Sequence, residues 1–133
     1  MDVSELMTTD VVTVQVDDSM WDAADLMLRH SAGSAIVYDG EKPDGIVTRT
    51  DALRAAYLSK TALGDIDVSR EMSSPLVTTT ATTSVADAVD EMAEHDVKRL
   101  PVEEDLDVVG IVTTTDIARA QPEILAASDV VED

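Results

Sequence analysis

Cysteine is absent from this chain. That excludes disulfides, thiolate metal sites and a cysteine nucleophile. Basic residues are scarce: 9 Lys and Arg stand against 28 Asp and Glu, for a formal net charge of -19. No Lys/Arg cluster exceeds Lys98-Arg99. A chain so charged repels nucleic-acid phosphates and anionic membranes, so neither is an expected partner. Long apolar runs are missing too, and nothing approaches the roughly 18 residues of a membrane span. The opening Met1-Asp2-Val3-Ser4-Glu5 is acidic and lacks the basic-then-apolar layout of a signal peptide. A cytoplasmic location is therefore expected. No nucleophile–base pair, metal cluster or glycine-rich phosphate loop stands out, and an enzyme is not expected.

What is present is a folded protein. Apolar residues make up 44% of 133 residues. The acids are scattered beside periodic apolar positions, which argues for a core under an acidic coat and against disorder. Such a surface, poor in lysine, suits a salt-rich cytoplasm where screening weakens self-repulsion. We read it as a halophile-like signature.

Shifted by 65 residues, the sequence overlays itself without a gap, with 20 identities across the 53 positions of 3–55 and 68–120. Gly45-Ile46-Val47-Thr48 falls on Gly110-Ile111-Val112-Thr113, and Thr50-Asp51 on Thr115-Asp116. Two repeats are too few for a solenoid, so a closed pair is the natural outcome. The repeats are placed at 3–58 and 68–120, with a linker at 59–67 and an acidic tail at 121–133.

Each copy reads strand–helix–strand–strand–helix, an α/β (α+β) unit of β-α-β-β-α type. The first strand is β-branched, Val11-Val12-Thr13-Val14. Ser19-x-x-Asp22 and Ser84-x-x-Asp87 resemble capping boxes that start helices. Ala23, Leu26, Met27 and Leu28 give the first helix its apolar face, as Val85, Ala88, Val89 and Met92 do in the second copy. Strands are expected at 35–38 and 45–48, joined by a turn at Asp39–Asp44. The second helix begins near Asp51, with Leu53 and Leu58 among its apolar residues, and Gly64 is the expected helix stop. The second copy has strands at 100–103 and 108–113 and a helix from Asp116 to about Ala120. Pro122 marks a stop, and 123–127 is a candidate short helix.

The stretch Gly-Ile-Val-Thr-x-Thr-Asp carries the chemistry. A buried strand ends in a hydroxyl, and three residues later a carboxylate opens a helix. Free N–H groups at a helix start suit a phosphate, and a carboxylate suits the vicinal hydroxyls of a ribose. The same Thr-x-x-Asp pattern also describes a well-capped helix, and both readings stand.

This order of elements, the Gly-h-h-Thr-x-x-Asp ending and the Met-x-x-x-h-Val-Thr opening resemble CBS domains over about residues 3–120. The resemblance implies two units packed sheet to sheet around a pseudo-twofold axis, with clefts between the sheets that take AMP, ADP, ATP or S-adenosylmethionine-like ligands. It assigns Thr48, Asp51, Thr113 and Asp116 to phosphate and ribose. It adds Thr13, Ile36, Thr78 and Pro101 to the ligand-facing set. It also implies a homodimer and an unknown regulated protein. No cofactor is required beyond a regulatory adenine nucleotide. The competing reading is a ligand-free dimerisation scaffold.

In many relatives a basic residue before Leu-Pro-Val reaches the phosphates. Here Lys98-Arg99-Leu100-Pro101-Val102 fits. Arg suits a planar fork on phosphate, although a surface pairing of Lys98 or Arg99 with Glu94 or Glu103 is also open. The first copy has Gly33-Ser34-Ala35-Ile36-Val37 there, without cation or proline. One higher-affinity site and one weak or empty site are expected. His30 and His95 read as complements to a helix C-terminal dipole. Arg54 and Arg119 read as helix partners of the Asp three residues before them. The acidic turn 103–107 reads as a solvated charge run. Trp21 either covers core or fills a dimer contact.

Overall fold

The computed structural model describes residues 1–120, in two compact units. The first unit is Asp10–Leu76. It contains β1 (Thr13–Gln15), α1 (Met20–Arg29), β2 (Ser34–Asp39), β3 (Lys42–Thr48), α2 (Arg49–Ser59), a 3-10 turn at Leu63–Asp65 and α3 (Val68–Glu71). The second unit joins Met1–Thr9 to the described residues from Val77 to Ala120. It contains a 3-10 turn at Val3–Glu5, β4 (Thr79–Thr80), α4 (Val85–His95), β5 (Arg99–Glu104), β6 (Asp107–Thr113) and α5 (Thr114–Ala120). The expected strand–helix–strand–strand–helix order is present twice. The acidic tail, Pro122 and the candidate helix at 123–127 lie outside the described residues.

Each unit has one three-stranded sheet, β1-β2-β3 or β4-β5-β6. The first pair is parallel across the intervening helix and the second is an antiparallel hairpin. Both hairpins close with two residues, Gly40-Glu41 or Asp105-Leu106. Asp105 and Leu106 take φ of 50° and 73°, as a tight primed turn demands. The expected six-residue turn at 39–44 is thus too long. Pro43 enters β3 because the register shifts at Val37/Tyr38, and a bulge tolerates proline.

Helix starts follow the capping signals. Ser19 N–H donates to Asp22 Oδ2 at 3.0 Å and Asp22 N–H to Ser19 Oγ at 3.1 Å. Asp87 N–H donates to Ser84 Oγ at 3.1 Å. Ends differ from expectation. Helix α2 stops at Lys60, which adopts the left-handed conformation (φ 56°), so Gly64 is not the stop. The lysine caps the helix in the backbone shape usually left to glycine or asparagine.

Two apolar cores form, one per unit. The first gathers Val14, Met20, Ala23, Met27, Val37, Val47 and Ala55 with Ile66 and Val68. The second gathers Val85, Val89, Met92, Leu100, Val102 and Ile117 with Val3. Ile66 falls within the span 59–67 expected to be a linker, yet it is fully buried. Leu28, placed on the apolar face of its helix from sequence, is instead exposed, as are Leu53 and Leu58. Helix α1 packs through Ala23 and Met27, and α2 through Ala52 and Ala55, which turns these leucines outward. Among the described residues no helix is long and apolar enough to cross a membrane.

Candidate functional site

The Thr-x-x-Asp stretches are reciprocal capping boxes at a strand–helix junction. In the first unit, Thr48 N–H donates to Asp51 Oδ2 at 2.8 Å, and Asp51 N–H donates to Thr48 Oγ1 at 3.1 Å. In the second, Thr113 N–H donates to Asp116 Oδ2 at 3.0 Å, and Asp116 N–H to Thr113 Oγ1 at 3.1 Å. Thr48, and not Asp51, is therefore the cap of α2; the helix begins at Arg49, two residues earlier than expected. Helix α5 likewise begins at Thr114. The box uses one oxygen of each carboxylate. The other oxygen of Asp51 lies 3.6 Å from Arg54 Nη1, the expected local helix pair.

Capping carries a stability cost when lost. Thr48→Ala and Thr113→Ala are each expected to destabilise the ligand-free chain by about 1 kcal/mol, whereas Thr→Ser at either position is expected to be near neutral. Urea midpoints at constant m-value measure this.

Strand register decides what surrounds each junction. Arg99 is the direct partner of Thr113 across the β5–β6 hairpin, and Thr114 N–H donates to the Lys98 carbonyl at 3.0 Å. The adjacent cations and the second Thr-x-x-Asp box thus share one unit. The first unit has Ser34 opposite Thr48, and Arg49 N–H donates to the Gly33 carbonyl at 3.2 Å. Its cation is Arg49, which sequence reasoning missed. Arg49 Nε donates to the Ala32 carbonyl at 2.8 Å and Nη2 to the Met27 carbonyl at 3.4 Å. It therefore holds the carbonyls at the end of α1, where a positive charge complements the helix dipole.

Alternation along the strands sorts the remaining candidates. Ala35, Val37 and Val47 enter the helix-side core. Ser34, Ile36, Ile46 and Thr48 then point to the opposite face of the sheet, as successive strand residues do. Thr13 is the β1 partner of Ile36. In the second unit, Leu100, Val102 and Val112 enter the core. Arg99, Pro101, Ile111 and Thr113 take the opposite face. Ile36 and Pro101 are buried there. Thr78 precedes β4 by one residue and is half-buried. Thr13, Ile36 and Thr48 of the first unit, and Arg99, Pro101 and Thr113 of the second, thus share one sheet face within each unit. Ile46 and Ile111 were missed; counting back by two from Thr48 and Thr113 finds them.

Two further candidates are settled by position. His30 ends α1, with Nδ1 3.5 Å from Asp10 Oδ2. Trp21 is exposed and does not cover core.

The CBS domain family model matches residues 3–58 and 63–123. The chain belongs to the CBS domain family. A CBS domain-containing protein of Bacillus subtilis is 36% identical over 117 residues, covering 87% of this chain and 82% of the relative. An uncharacterized protein of Methanocaldococcus jannaschii is 35% identical over 123 residues, covering 92% of this chain but 63% of the relative. A CBS domain pair solved in complex with 5′-methylthioadenosine and S-adenosyl-L-methionine superposes with a TM-score of 0.79 at 24% identity, over 90% of this chain and 98% of that one. This CBS chain therefore shares a tandem-pair fold with proteins of the family, built from two three-stranded sheets with helices.

Proposed function

We propose that this CBS pair is a regulatory module that binds an adenosine-containing ligand and passes the binding event to a partner protein. It catalyses no reaction in this reading. The second unit supplies the stronger site. The register pair Arg99–Thr113 carries the proposal, because Arg99 is the direct strand partner of the threonine that closes the capping box with Asp116. Lys98 and Arg99 take the phosphates of AMP, ADP or ATP through charge-assisted hydrogen bonds. Thr113 adds a hydroxyl to the phosphate, and Asp116 accepts from the ribose hydroxyls with the oxygen its box leaves over. Thr78 and Pro101 border the base. Thr13, Ile36, Thr48 and Asp51 form the weaker counterpart, since Ser34 replaces Arg99 there. The solved pair that holds S-adenosyl-L-methionine supports a sulfonium-bearing adenosine ligand as the second candidate.

Calorimetry on the full chain at high salt, with AMP, ADP, ATP and S-adenosylmethionine, separates these readings. A nucleotide is expected to bind, and Arg99→Ser, which copies Ser34, is expected to weaken it at least about tenfold, as loss of a charge-assisted contact does. Asp116→Asn keeps an acceptor for the cap and is expected to weaken every adenosine ligand. Tight S-adenosylmethionine binding that Arg99→Ser leaves intact would replace the nucleotide reading. No heat and no thermal shift with all four would leave the boxes as caps and the chain as a scaffold.

A further inference from the structure

Each unit is finished by a segment from the other sequence repeat. Residues 3–8 open the first repeat yet lie in the second unit, and residues 68–73 open the second repeat yet lie in the first. Both segments are pinned in the same way. Thr8 exchanges backbone hydrogen bonds with Ile111, and Ser73 with Ile46, on the outer edge of β6 or β3. The residue just before each bridge is a methionine, Met7 or Met72. Its sulfur lies on a glycine of that strand. A Cβ would stand 2.5 Å from Met7 Sδ at Gly110, and 2.8 Å from Met72 Sδ at Gly45. Met7 also packs against the core that holds Val3, and Met72 against the core that holds Val68. At the shift of 65 the two methionines are equivalent, and so are the two glycines.

These two sulfurs combine tight contact with access. Met7 and Met72 are half-buried, whereas Met20, Met27 and Met92 are 0%, 1% and 0% exposed. With no cysteine in the chain, methionine is the only sulfur that an oxidant meets. We propose that Met7 and Met72 are oxidation-sensitive clasps: a peroxide converts each to its sulfoxide and so releases the segment it pins. The thioether sulfur attacks one oxygen of hydrogen peroxide. An S–O bond forms, the O–O bond breaks, the sulfur gives up two electrons, and the peroxide leaves as water once the second oxygen takes the proton. The product is polar and chiral where the thioether was apolar. Its new oxygen has two places to go, and neither keeps the clasp. Turned inward, it meets a strand with no room for a Cβ, beside the carbonyl oxygen of Thr8 or Ser73. Turned outward, it draws the side chain off the glycine and off the core, and the apolar contact that holds the bridge is lost. Reduction of the sulfoxide restores the thioether, so the clasp closes again.

Peroxide treatment of the folded full chain, followed by peptide mass spectrometry and amide hydrogen exchange, tests this. Met7 and Met72 are expected to oxidise at least about tenfold faster than Met20, Met27 and Met92, since attack follows exposure. Met1, 54% exposed, reports full access. In the oxidised chain, peptides carrying the amides of Thr8, Ile46, Ser73 and Ile111 are expected to exchange at least about tenfold faster, as local opening does. Methionine sulfoxide reductases of both epimer classes are expected to restore slow exchange in the unsubstituted chain. The double variant Met7→Leu with Met72→Leu keeps Met1 as a target, and its exchange is expected to ignore peroxide. The proposal is overturned if Met7 and Met72 oxidise no faster than Met20, or if they oxidise while all four amides stay protected. Exchange that reductases do not reverse, or that rises equally in the double variant, would overturn it too.

Discussion

A fragment of residues 1–62, which spans the first sequence repeat, is expected to show no cooperative unfolding, whereas residues 10–76 fold. The reason lies in two segments exchanged along the chain. The first core needs Ile66 and Val68, both fully buried and both beyond residue 62. Each such side chain contributes roughly 1.5–3 kcal/mol on burial. The same segment supplies backbone partners: Met20 N–H donates to the Ile66 carbonyl at 2.7 Å and Val68 N–H to the Asp18 carbonyl at 2.9 Å. Ile46 and Ser73 exchange a pair of hydrogen bonds at 3.1 and 2.9 Å along the edge of β3. Losing all of this removes several kcal/mol from a unit of about 60 residues, where whole stabilities of about 5–15 kcal/mol are usual and small size is itself a penalty. The second unit has the same dependence. Val3 is fully buried in its core, Val3 N–H donates to the Thr83 carbonyl at 2.9 Å, and Thr8 and Ile111 exchange bonds at 2.8 and 2.9 Å. Thermal melts followed by circular dichroism decide the matter. A sigmoidal transition for 1–62 comparable to that of 10–76 would mean the exchanged segment is decoration.

Gly45→Ala is expected to destabilise the chain by about 3 kcal/mol, and Gly110→Ala by about 1 kcal/mol, although the two glycines are equivalent in the repeat. Both sit where the exchanged segment crosses the last strand of its unit. A Cβ on Gly45 would stand 2.8 Å from Met72 Sδ and 2.8 Å from the Ser73 carbonyl oxygen. The carbonyl is tied to Ile46 and cannot retreat without breaking the edge pairing. A Cβ on Gly110 would meet Met7 Sδ at 2.5 Å, but the nearest backbone oxygen, of Thr8, is at 3.1 Å. A flexible methionine can move aside. Adding Met7→Ala is therefore expected to relieve much of the Gly110→Ala cost, while Met72→Ala leaves most of the Gly45→Ala cost in place. Denaturant midpoints of the two double variants give the comparison; equal relief at both glycines would contradict the backbone clash at Gly45.

Both predictions rest on pairings that local sequence does not encode. The order of elements was legible because Ser19-x-x-Asp22 and Thr48-x-x-Asp51 are short-range signals, and each side chain reaches its partner three residues away. The repeat was legible because identity needs no structure. Which segment covers which core was not, because periodicity marks the unit that was duplicated, and burial of Val3 beside Leu100 is a long-range event. Lys60 ends its helix in a conformation its residue type rarely signals, so Gly64 drew the expectation instead. Leu28 counted toward the apolar face of its helix because apolar spacing alone does not say which side of a helix meets its own sheet. At the candidate site, Lys98 and Arg99 were visible as the chain's adjacent cations. That Arg99 stands opposite Thr113 needed the hairpin register, which only the fold supplies.

The exchange of segments also sets an order of events during synthesis. All of residues 10–76 leave the ribosome as one continuous stretch, so the first unit has every piece of its core well before the chain is finished. The second unit does not. Its Val3 strap is made first and used last, after β6 and α5 have emerged. At about 5–20 residues per second the strap waits for seconds, with Val3, Leu6 and Met7 uncovered. The nascent second half is the part of this protein that a chaperone has reason to attend.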